Sequence, residues 1–419
     1  MKVLVVGGGG REHAIIKKLK ESPRVTALYA APGNGGIGRD AECVPIKATD
    51  VDAMVAYAVE HAMDFVVVAP DDPLVLGMVD AMNARGIPCF GPTKAAARIE
   101  GSKVFSKGLM QKYGIPTAAY ETFSDPDAAI AYIRAGTLPV VIKADGLALG
   151  KGVIIAETLD EAVAGIDGIM RDKQFGESGN RVVIEEFMTG PEVTVLAFTD
   201  GTAIVPMVSS MDHKRALDGN KGLNTGGMGT IAPNPHYDDA TAALCMETIF
   251  LPTISAMAKE GCPFKGCLYF GLMLTPKGPR VIEYNCRFGD PETQVVLPLL
   301  DSDLFAIMEA VSQGRLAEAD IRWKPGAAAC VVIASGGYPG KYQTGLAISG
   351  LDADGNREDA CVYHAGTTCA DGGFHTAGGR VLGVTAVATS LEEALADAYS
   401  AVDAIHFADR HFRTDIGKY

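Results

Sequence analysis

The chain is poor in the features that would commit it to a membrane, to nucleic acid or to a disulfide-held frame. Its nine cysteines are scattered and odd in number, with no CxxC pair. That fits reduced, buried thiols better than a disulfide framework or a zinc site. No uninterrupted apolar run approaches membrane-spanning length. Cations are in deficit: 37 Lys and Arg stand against 51 Asp and Glu, a formal net charge of −14 that opposes non-specific binding to phosphate backbones. Cations that do gather, near Lys143 to Lys151 and at His213, Lys214 and Arg215, are therefore expected to be local devices. The opening MKVLVVGGGG has a short apolar run but neither h-region nor cleavage site, so a cytoplasmic protein is expected. With a single Trp, 49 Gly, 48% hydrophobic and 21% charged residues, the profile is that of a loop-rich α/β protein.

At 419 residues the chain exceeds one domain's usual size, and about three packed units are expected. Residues 2–6, 26–30 and 64–69 read as parallel strands separated by helical stretches near 11–20 and 51–62. This is the alternation of a doubly wound sheet, ending near Glu100. A helix from Lys103 to Tyr113 precedes a turn at Gly114-Ile115-Pro116. Residues 140–144, 152–156, 182–187, 193–198 and 203–208 are short, hairpin-spaced strands that suggest a smaller antiparallel lobe. A helix at 239–259 and strands around 267–274 and 280–285 follow, where two lobes would meet. Beyond Pro325 a strand at 327–335, the GGYPG turn and repeated short β segments suggest a compact C-terminal unit.

The densest chemistry lies in Val281 to Thr293, VIEYNCRFGDPET. Strand alternation puts Glu283, Asn285 and Arg287 on one face and Ile282, Tyr284 and Cys286 on the other. Two oxygen ligands two residues apart can share a hard Mg²⁺ that stays partly hydrated and bridges phosphates, and a neighbouring guanidinium can clamp an anion. The plain alternative is a strand with a solvated face. Gly7 to Gly10 follow the first strand and precede a helix near Arg11, where bare N–H groups and the helix dipole can receive a phosphate. A dinucleotide fingerprint fails because the third glycine position is Glu12 and no acid directly follows the second strand, so NAD is disfavoured. Of Arg11, Glu12 and His13, only Arg11 is well placed to help hold phosphate; a solvated helix start is the other reading of all three.

In VVIKADGLALGKGVIIA the P-loop pattern fails, since Lys151 is followed by Gly152 and then a strand. A glycine-rich hairpin folding over nucleotide phosphates is the physical alternative, with Lys143 below and Lys151 above. RVVIEEFMTGPE runs from a strand into a turn and can offer backbone groups at Glu185 and Phe187 to an adenine edge, with Glu192 on ribose hydroxyls. An exposed acid pair at a strand end is the other reading. MDHKRALDGNKGLNTGGMG reads as a long, irregular polar loop, which costs stability unless ligands use it. His213, Lys214 and Arg215 could receive anions there, and Thr225, Gly226 and Gly227 could bring N–H groups close to a small substrate.

In order along the chain, GGREHA (9–14), FGP (90–92), EGSK (100–103), IKADGLA (142–148), GKGV (150–153), EEF (185–187), DHKR (212–215), NTGGMG (224–229), EYNCRFGDPET (283–293), GGYPG (336–340) and GGRVLGVTA (378–386) resemble ATP-grasp ligases. Specifically, they resemble the phosphoribosylamine–glycine ligases, over essentially the whole chain. The resemblance implies a mixed α/β and α+β multidomain fold. Its parts would be an N-terminal doubly wound domain (1–101), an ATP-grasp core of two lobes (102–323) with a small nucleotide-covering lobe at about 118–190, and a small β-rich C-terminal domain (324–419). ATP is then expected between Lys103, Lys143 and the lid residues Gly150, Lys151 and Gly152, with adenine at Glu185 and Phe187 and ribose at Glu192. Mg²⁺, or Mn²⁺, would sit on Glu283 and Asn285.

The same resemblance puts 5-phosphoribosylamine and glycine against Gly9, Gly10, Arg11, Pro73, Leu74, Asp212, His213, Lys214, Arg215, Thr225, Gly226, Gly227 and Arg287. Arg287, Lys143 and Lys214 are the expected catalytic cations. The implied reaction forms glycyl phosphate from glycine and ATP, then an amide with phosphoribosylamine, as a step of de novo purine biosynthesis. No enzyme nucleophile is required; positioning and charge neutralisation do the work. Neither nucleic acid nor membrane is implied as a partner, and a monomer or weak dimer is expected. Gly8 stands where many relatives have Asn, Asp71 where Glu is common, and Leu149 where the lid usually has Ala, while YFGLM (269–273) offers no second acid for a metal. Another ATP-grasp ligase or carboxylase would share the nucleotide site. A non-catalytic nucleotide sensor is disfavoured by the intact Glu283, Asn285 and Arg287.

Overall fold

In a computed structural model, residues 1–147 and 152–418 are described. Four consecutive apolar residues, Val3 to Val6, form most of β1 (Lys2–Gly7) and are all fully buried. A continuous apolar run marks a strand covered on both faces, and burying each such side chain contributes about 1.5–3 kcal/mol. With β2 (Ala27–Pro32), β3 (Glu42–Cys43), β4 (Phe65–Val68) and β5 (Cys89–Phe90), it forms a parallel sheet of order β3-β2-β1-β4-β5. Between and after these strands run α1 (Gly10–Lys20), α2 (Ile37–Asp40), α3 (Val51–Glu60), α4 (Asp71–Leu76), α5 (Met78–Asn83) and α6 (Lys94–Gly101). α7 (Lys103–Tyr113) begins where Ser102 Oγ accepts the Phe105 N–H at 3.1 Å and stops at Gly114, whose φ of 68° is a left-handed cap.

A small antiparallel lobe follows, made of β6 (Tyr120–Phe123), α8 (Pro126–Ala135), β7 (Val140–Ala144), β8 (Val153–Ala156), α9 (Leu159–Ile166) and β9 (Val182–Glu186), with strand order β6-β9-β7-β8. It has an apolar core of its own, in which Ile133 and Ile166 of the helices meet Ile142, Val182 and Ile184 of the sheet.

Beyond it come β10 (Glu192–Thr199), β11 (Ile204–Pro206), β12 (Met211–Asp212), β13 (Arg215–Leu217), β14 (Lys221–Asn224) and β15 (Gly229–Ala232). The stretch expected to be an irregular loop is therefore built: β13 and β14 make a hairpin, while β12 and β15 pair with each other. Helices α10 (Asp239–Cys245) and α11 (Leu251–Lys259), joined by a π-helical stretch at Met246–Phe250, form one continuous helical run. That run is long and apolar enough to cross a membrane by length and composition, but it buries Cys245, Ile249, Phe250, Ile254 and Met257 against Phe270 and Tyr284 as a core helix. β16 (Gly266–Thr275) and β17 (Gly278–Asn285) complete a sheet of order β11-β10-β16-β17.

After α12 (Thr293–Val296) and α13 (Leu304–Gln313), the C-terminal strands are β18 (Ala327–Ala334), β19 (Ala347–Ile348), β20 (Cys361–His364), β21 (Thr367–Ala370), β22 (Gly373–Thr376) and β23 (Arg380–Ala388), followed by α14 (Leu391–Ala404). Their main sheet, β12-β15-β18-β23-β20, takes in β12 and β15 from the two ends of the expected loop, and β19-β22-β21 form a smaller one.

The parallel sheet fuses to this body through both faces. Leu4, Val6, Val66 and Val68 share a core with Phe250, Phe270 and Tyr284, whereas Val3, Val5, Phe65 and Val67 share one with Phe198, Tyr269, Phe288 and Phe305.

Candidate active site

The strand carrying the densest motif is β17, and its register corrects the simple alternation. Gly271 pairs with Glu283 but Leu272 pairs with Val281, so Ile282 is an extra residue in the ladder. Val281, Tyr284 and Cys286 enter the apolar core; Ile282 does not, and its carbonyl instead accepts Lys143 Nζ at 3.0 Å. Glu283 and Asn285 still line one side, and Arg287 Nη2 donates to Asn285 Oδ1 at 3.1 Å. The Glu283 carboxylate receives no hydrogen bond among the described residues. Burial alone would raise its pKa, but Lys214, Lys143, Lys103 and Arg287 outweigh it and hold the carboxyl below its ordinary range. Four expected site cations thus converge on one carboxylate.

On the nucleotide side, Lys103 Nζ donates to the Gly146 carbonyl at 2.9 Å, and burial lowers its pKa against the pull of Glu283. Glu185 is not at a strand exit. It sits in β9 paired on both sides, and its buried carboxylate lies 3.0 Å from Lys143 and 3.1 Å from Lys107. Burial pushes Lys107 down to about 8 with Glu185 opposing, and Lys107 also donates to Thr117 Oγ1 at 2.7 Å. Exposure belongs to its neighbour Glu186, which accepts Arg280 at 3.1 Å, and to Phe187 just beyond the strand. Gly152 is buried and its carbonyl accepts the Ala144 N–H at 2.8 Å. Gly150 and Lys151, expected on the lid, lie outside the described residues, as does Leu149.

Glu192, expected on a ribose, is 3.1 Å from Lys214, and it is the largest influence raising the Lys214 pKa well above its ordinary value. Beside them Asp212 is pushed up by burial and by Glu292. His213 does not face the cleft. It is buried, its ring accepts the Gly417 N–H at 2.9 Å and lies 3.1 Å from the Gly229 carbonyl, and burial with Arg413 lowers its pKa to about 4. Arg215 donates to the Gly222 carbonyl at 2.8 Å within its hairpin. The donors expected from the 225–227 turn are likewise engaged: Gly226 N–H with Tyr338 at 3.0 Å and Gly227 N–H with Thr225 Oγ1 at 2.9 Å.

The glycine-rich turn also differs from a solvated helix start, because Arg11, Glu12 and His13 are all buried. Glu12 reaches back to the Gly9 N–H at 2.6 Å and to Arg11 Nε at 2.7 Å, while Asp290 accepts the Arg11 N–H at 3.3 Å. Three of the donors expected for phosphate are therefore held by carboxylates. Gly10 abuts Gln294, whose Nε2 would be 2.6 Å from an added Cβ. Gly8 admits no side chain here, since a Cβ would lie 2.3 Å from the Gly33 carbonyl oxygen. Of the α4 residues, Pro73 and Leu74 are buried, Leu74 in the apolar core, whereas Asp71 lies 3.7 Å from Arg287.

Residues given no role by sequence complete the arrangement. Glu100 accepts Arg287 Nη2 at 3.1 Å, and Arg380 reaches from β23 to the Asp290 carbonyl at 2.8 Å and its carboxylate at 3.3 Å. Tyr269 and Glu292 meet at Thr194 Oγ1, 3.1 and 3.4 Å away. Glu100, Tyr269, Asp290, Glu292 and Arg380 all fall inside quoted sequence runs, which was the available signal.

No group of three or more His, Cys, Asp or Glu side chains fit to hold a metal occurs among the described residues. One carboxylate and one amide oxygen, surrounded by cations, suit a hard divalent ion that arrives with phosphates rather than a closed protein cage. Asn285 and the uncommitted Glu283 therefore fit Mg²⁺ or Mn²⁺ shared with a polyphosphate.

Three family models match the chain: phosphoribosylglycinamide synthetase N domain over residues 1–100, its ATP-grasp (A) domain over 101–293 and its C domain over 328–419. The phosphoribosylamine–glycine ligase of Caldanaerobacter subterraneus subsp. tengcongensis is 47% identical over 416 residues, 99% of each chain. That of Agrobacterium fabrum is 48% identical over 417 residues, 100% of this chain and 98% of its own. The crystal structure of the Thermotoga maritima phosphoribosylamine–glycine ligase superposes with a TM-score of 0.88 at 32% identity, covering 100% of both chains. The biotin carboxylase domain of Hydrogenobacter thermophilus 2-oxoglutarate carboxylase shares the fold, with a TM-score of 0.76 at 16% identity over 98% of this chain and 91% of its own.

Proposed function

The chain belongs to the phosphoribosylglycinamide synthetase family, and from that premise we propose that it ligates glycine to 5-phosphoribosylamine at the expense of ATP. The products are glycinamide ribonucleotide, ADP and phosphate, a step of de novo purine biosynthesis. The observation that carries the proposal is the uncommitted Glu283 carboxylate set among Lys103, Lys143, Lys214 and Arg287 at the end of β17.

Lys103 and Lys143 face the transferring phosphoryl group, and Lys214 and Arg287 hold the glycine carboxylate in line with it. Glycine's carboxylate oxygen takes the γ-phosphoryl group to give glycyl phosphate. The amine of phosphoribosylamine then attacks the acyl carbon, phosphate leaves and the nitrogen sheds a proton. Glu283 and Asn285 would hold Mg²⁺ or Mn²⁺, which when bound neutralises charge on the phosphate oxygens. The side chains supply orientation and fixed charge, which is most of what phosphoryl transfer asks of a protein. The domain limits 1–101, 102–323 and 324–419, a cytoplasmic location, and a monomer or weak dimer with no nucleic-acid or membrane partner belong to the same proposal. The net charge of −14 supports the last point.

The test is ADP release by the purified protein with Mg²⁺ and ATP, adding glycine and freshly generated phosphoribosylamine separately and together. Release that requires both, with a glycine-containing ribonucleotide as product, is expected. Release supported by another carboxylate and not by glycine would move the chain to a different ligase reaction.

A further inference from the structure

Glu100, the penultimate residue of α6, is 8% exposed and uses both carboxylate oxygens on the two residues that follow β17, the strand that carries the proposed metal ligands. Its Oε2 accepts the Cys286 N–H at 2.7 Å and its Oε1 accepts Arg287 Nη2 at 3.1 Å. The same Nη2 donates to Asn285 Oδ1 at 3.1 Å, so the orientation of the amide also depends on where the guanidinium is held. Among the described residues Arg287 Nη1 donates only to the Phe288 carbonyl, at 3.2 Å, and Asp71 stands 3.7 Å from Nη2 as a competing acid.

We propose that Glu100 is a positioning residue that sets Arg287, and through it Asn285, from the last turn of the N-terminal unit. The inference rests on Arg287 acting in the proposed reaction. A carboxylate is suited to the task because it accepts at both oxygens; an amide would turn an N–H toward one of the two donors. Burial raises the Glu100 pKa and Arg287 opposes that rise. Without it, Arg287 is free to swing toward Asp71, releasing Asn285.

The neighbouring residues extend the same logic. Ser102 donates to Asp145 Oδ1 at 3.0 Å and Lys103 to the Gly146 carbonyl at 2.9 Å. The EGSK run therefore fixes the β17 side and the nucleotide side from one helix junction.

The test is a double-mutant cycle in the full chain with Glu100→Gln, Arg287→Lys and the pair, reading kcat, KM for ATP, and the thermal midpoint without ligands. Glu100→Gln is expected to lower kcat by roughly 10- to 100-fold, the cost of a misplaced group, with KM for ATP nearly unchanged. The pair should be no slower than Arg287→Lys alone to within about twofold, because both changes remove one interaction. Multiplying losses, or an unchanged kcat in Glu100→Gln, would overturn the proposal, as would a lowered midpoint with wild-type kcat. If Glu100→Gln does not fold, Glu100→Asp, which keeps the charge but is one carbon short, enters the same cycle. Full turnover in Arg287→Lys would instead remove Arg287 from the chemistry, a failure of the proposed function visible before Glu100 is considered.

Discussion

The small lobe and the body around it differ in how they are held together. The lobe closes its own core with Ile133, Ile142, Ile166, Val182 and Ile184. The parallel sheet and the β10-β16-β17 sheet instead share two cores, one on each face, and cannot be separated without exposing both. The candidate site lies across that divide. Lys143 and Glu185 belong to the self-contained lobe, while Glu283, Asn285, Arg287, Lys214 and Arg11 are built on the fused body. Polar contacts join the two, such as Lys143 with the Ile282 carbonyl, Arg280 with Glu186 and Lys107 with Glu185. A nucleotide side on a separable lobe and an acceptor side on a rigid frame suit an enzyme that must admit a large nucleotide yet hold a small acid and an amine in fixed register.

Glu283 stands between the two sides, and Glu283→Ala should erase the distinction. Turnover measured as ADP release is expected to fall by roughly 10²- to 10³-fold or more, with the fold retained. Unchanged turnover with Mg²⁺ would remove the metal assignment. Glu185→Gln acts where the lobe meets α7, since its carboxylate pairs with Lys143 of β7 and Lys107 of α7. It leaves Lys107 and Lys143 as buried cations without their carboxylate, at a cost of about 3–5 kcal/mol in stability. KM for ATP should rise while KM for glycine holds; a matching rise for glycine would show that the two sides are not separable. Arg11→Ala is the mirror on the body, expected to raise the apparent KM for phosphoribosylamine by about tenfold, one lost charged contact, without moving that for ATP. Movement of the ATP dependence alone would show the phosphate site to be elsewhere.

The parts legible in sequence were those with a strong local signal. Val3 to Val6 and Phe65 to Val68 are apolar runs that only a doubly covered strand explains, and Glu283, Asn285 and Arg287 share a side as their spacing says. What was missed depends on partners far along the chain. The extra residue at Ile282 comes from how β16 pairs with β17, which no periodicity within β17 records. His213 reads as a member of a cationic run, but Gly417, 204 residues on, turns its ring inward. Arg11, Glu12 and His13 look like a solvated helix start until residues 288–290 and 364 cover them. The polar 211–229 run reads as irregular because its strands are two to four residues long, β12 and β15 pairing into the sheet of β18 while β13 and β14 pair only with each other.

The junction between α1 and β20 offers the mildest test of how firmly the body is fused. His13 Nδ1 accepts the His364 N–H at 2.8 Å, so its proton sits on Nε2, 3.0 Å from Asp40. His364 is held from both ring nitrogens, by Thr367 at 2.9 Å and the Gly355 carbonyl at 2.7 Å. Burial lowers the pKa of His13 and takes that of His364 down to about 3. Burial would raise Asp40, but His13, Lys20 and Lys17 outweigh it and hold it low. Unfolded histidines titrate near 6.5, so between that value and the folded ones the unfolded chain binds more protons and folding loses stability as pH falls. Each such ring should contribute about 1.4 kcal/mol per pH unit across that window, and nothing above it. The share of the thermal midpoint that these rings set should therefore be flat from pH 8 to 7 and decline below 6.5. His13→Gln keeps an acceptor for the His364 N–H and a donor for Asp40. It should flatten that decline by one ring's share while leaving turnover at pH 7.5 unchanged. An unaltered slope would mean that His13 is not the neutral brace between the N-terminal and C-terminal units that its contacts describe.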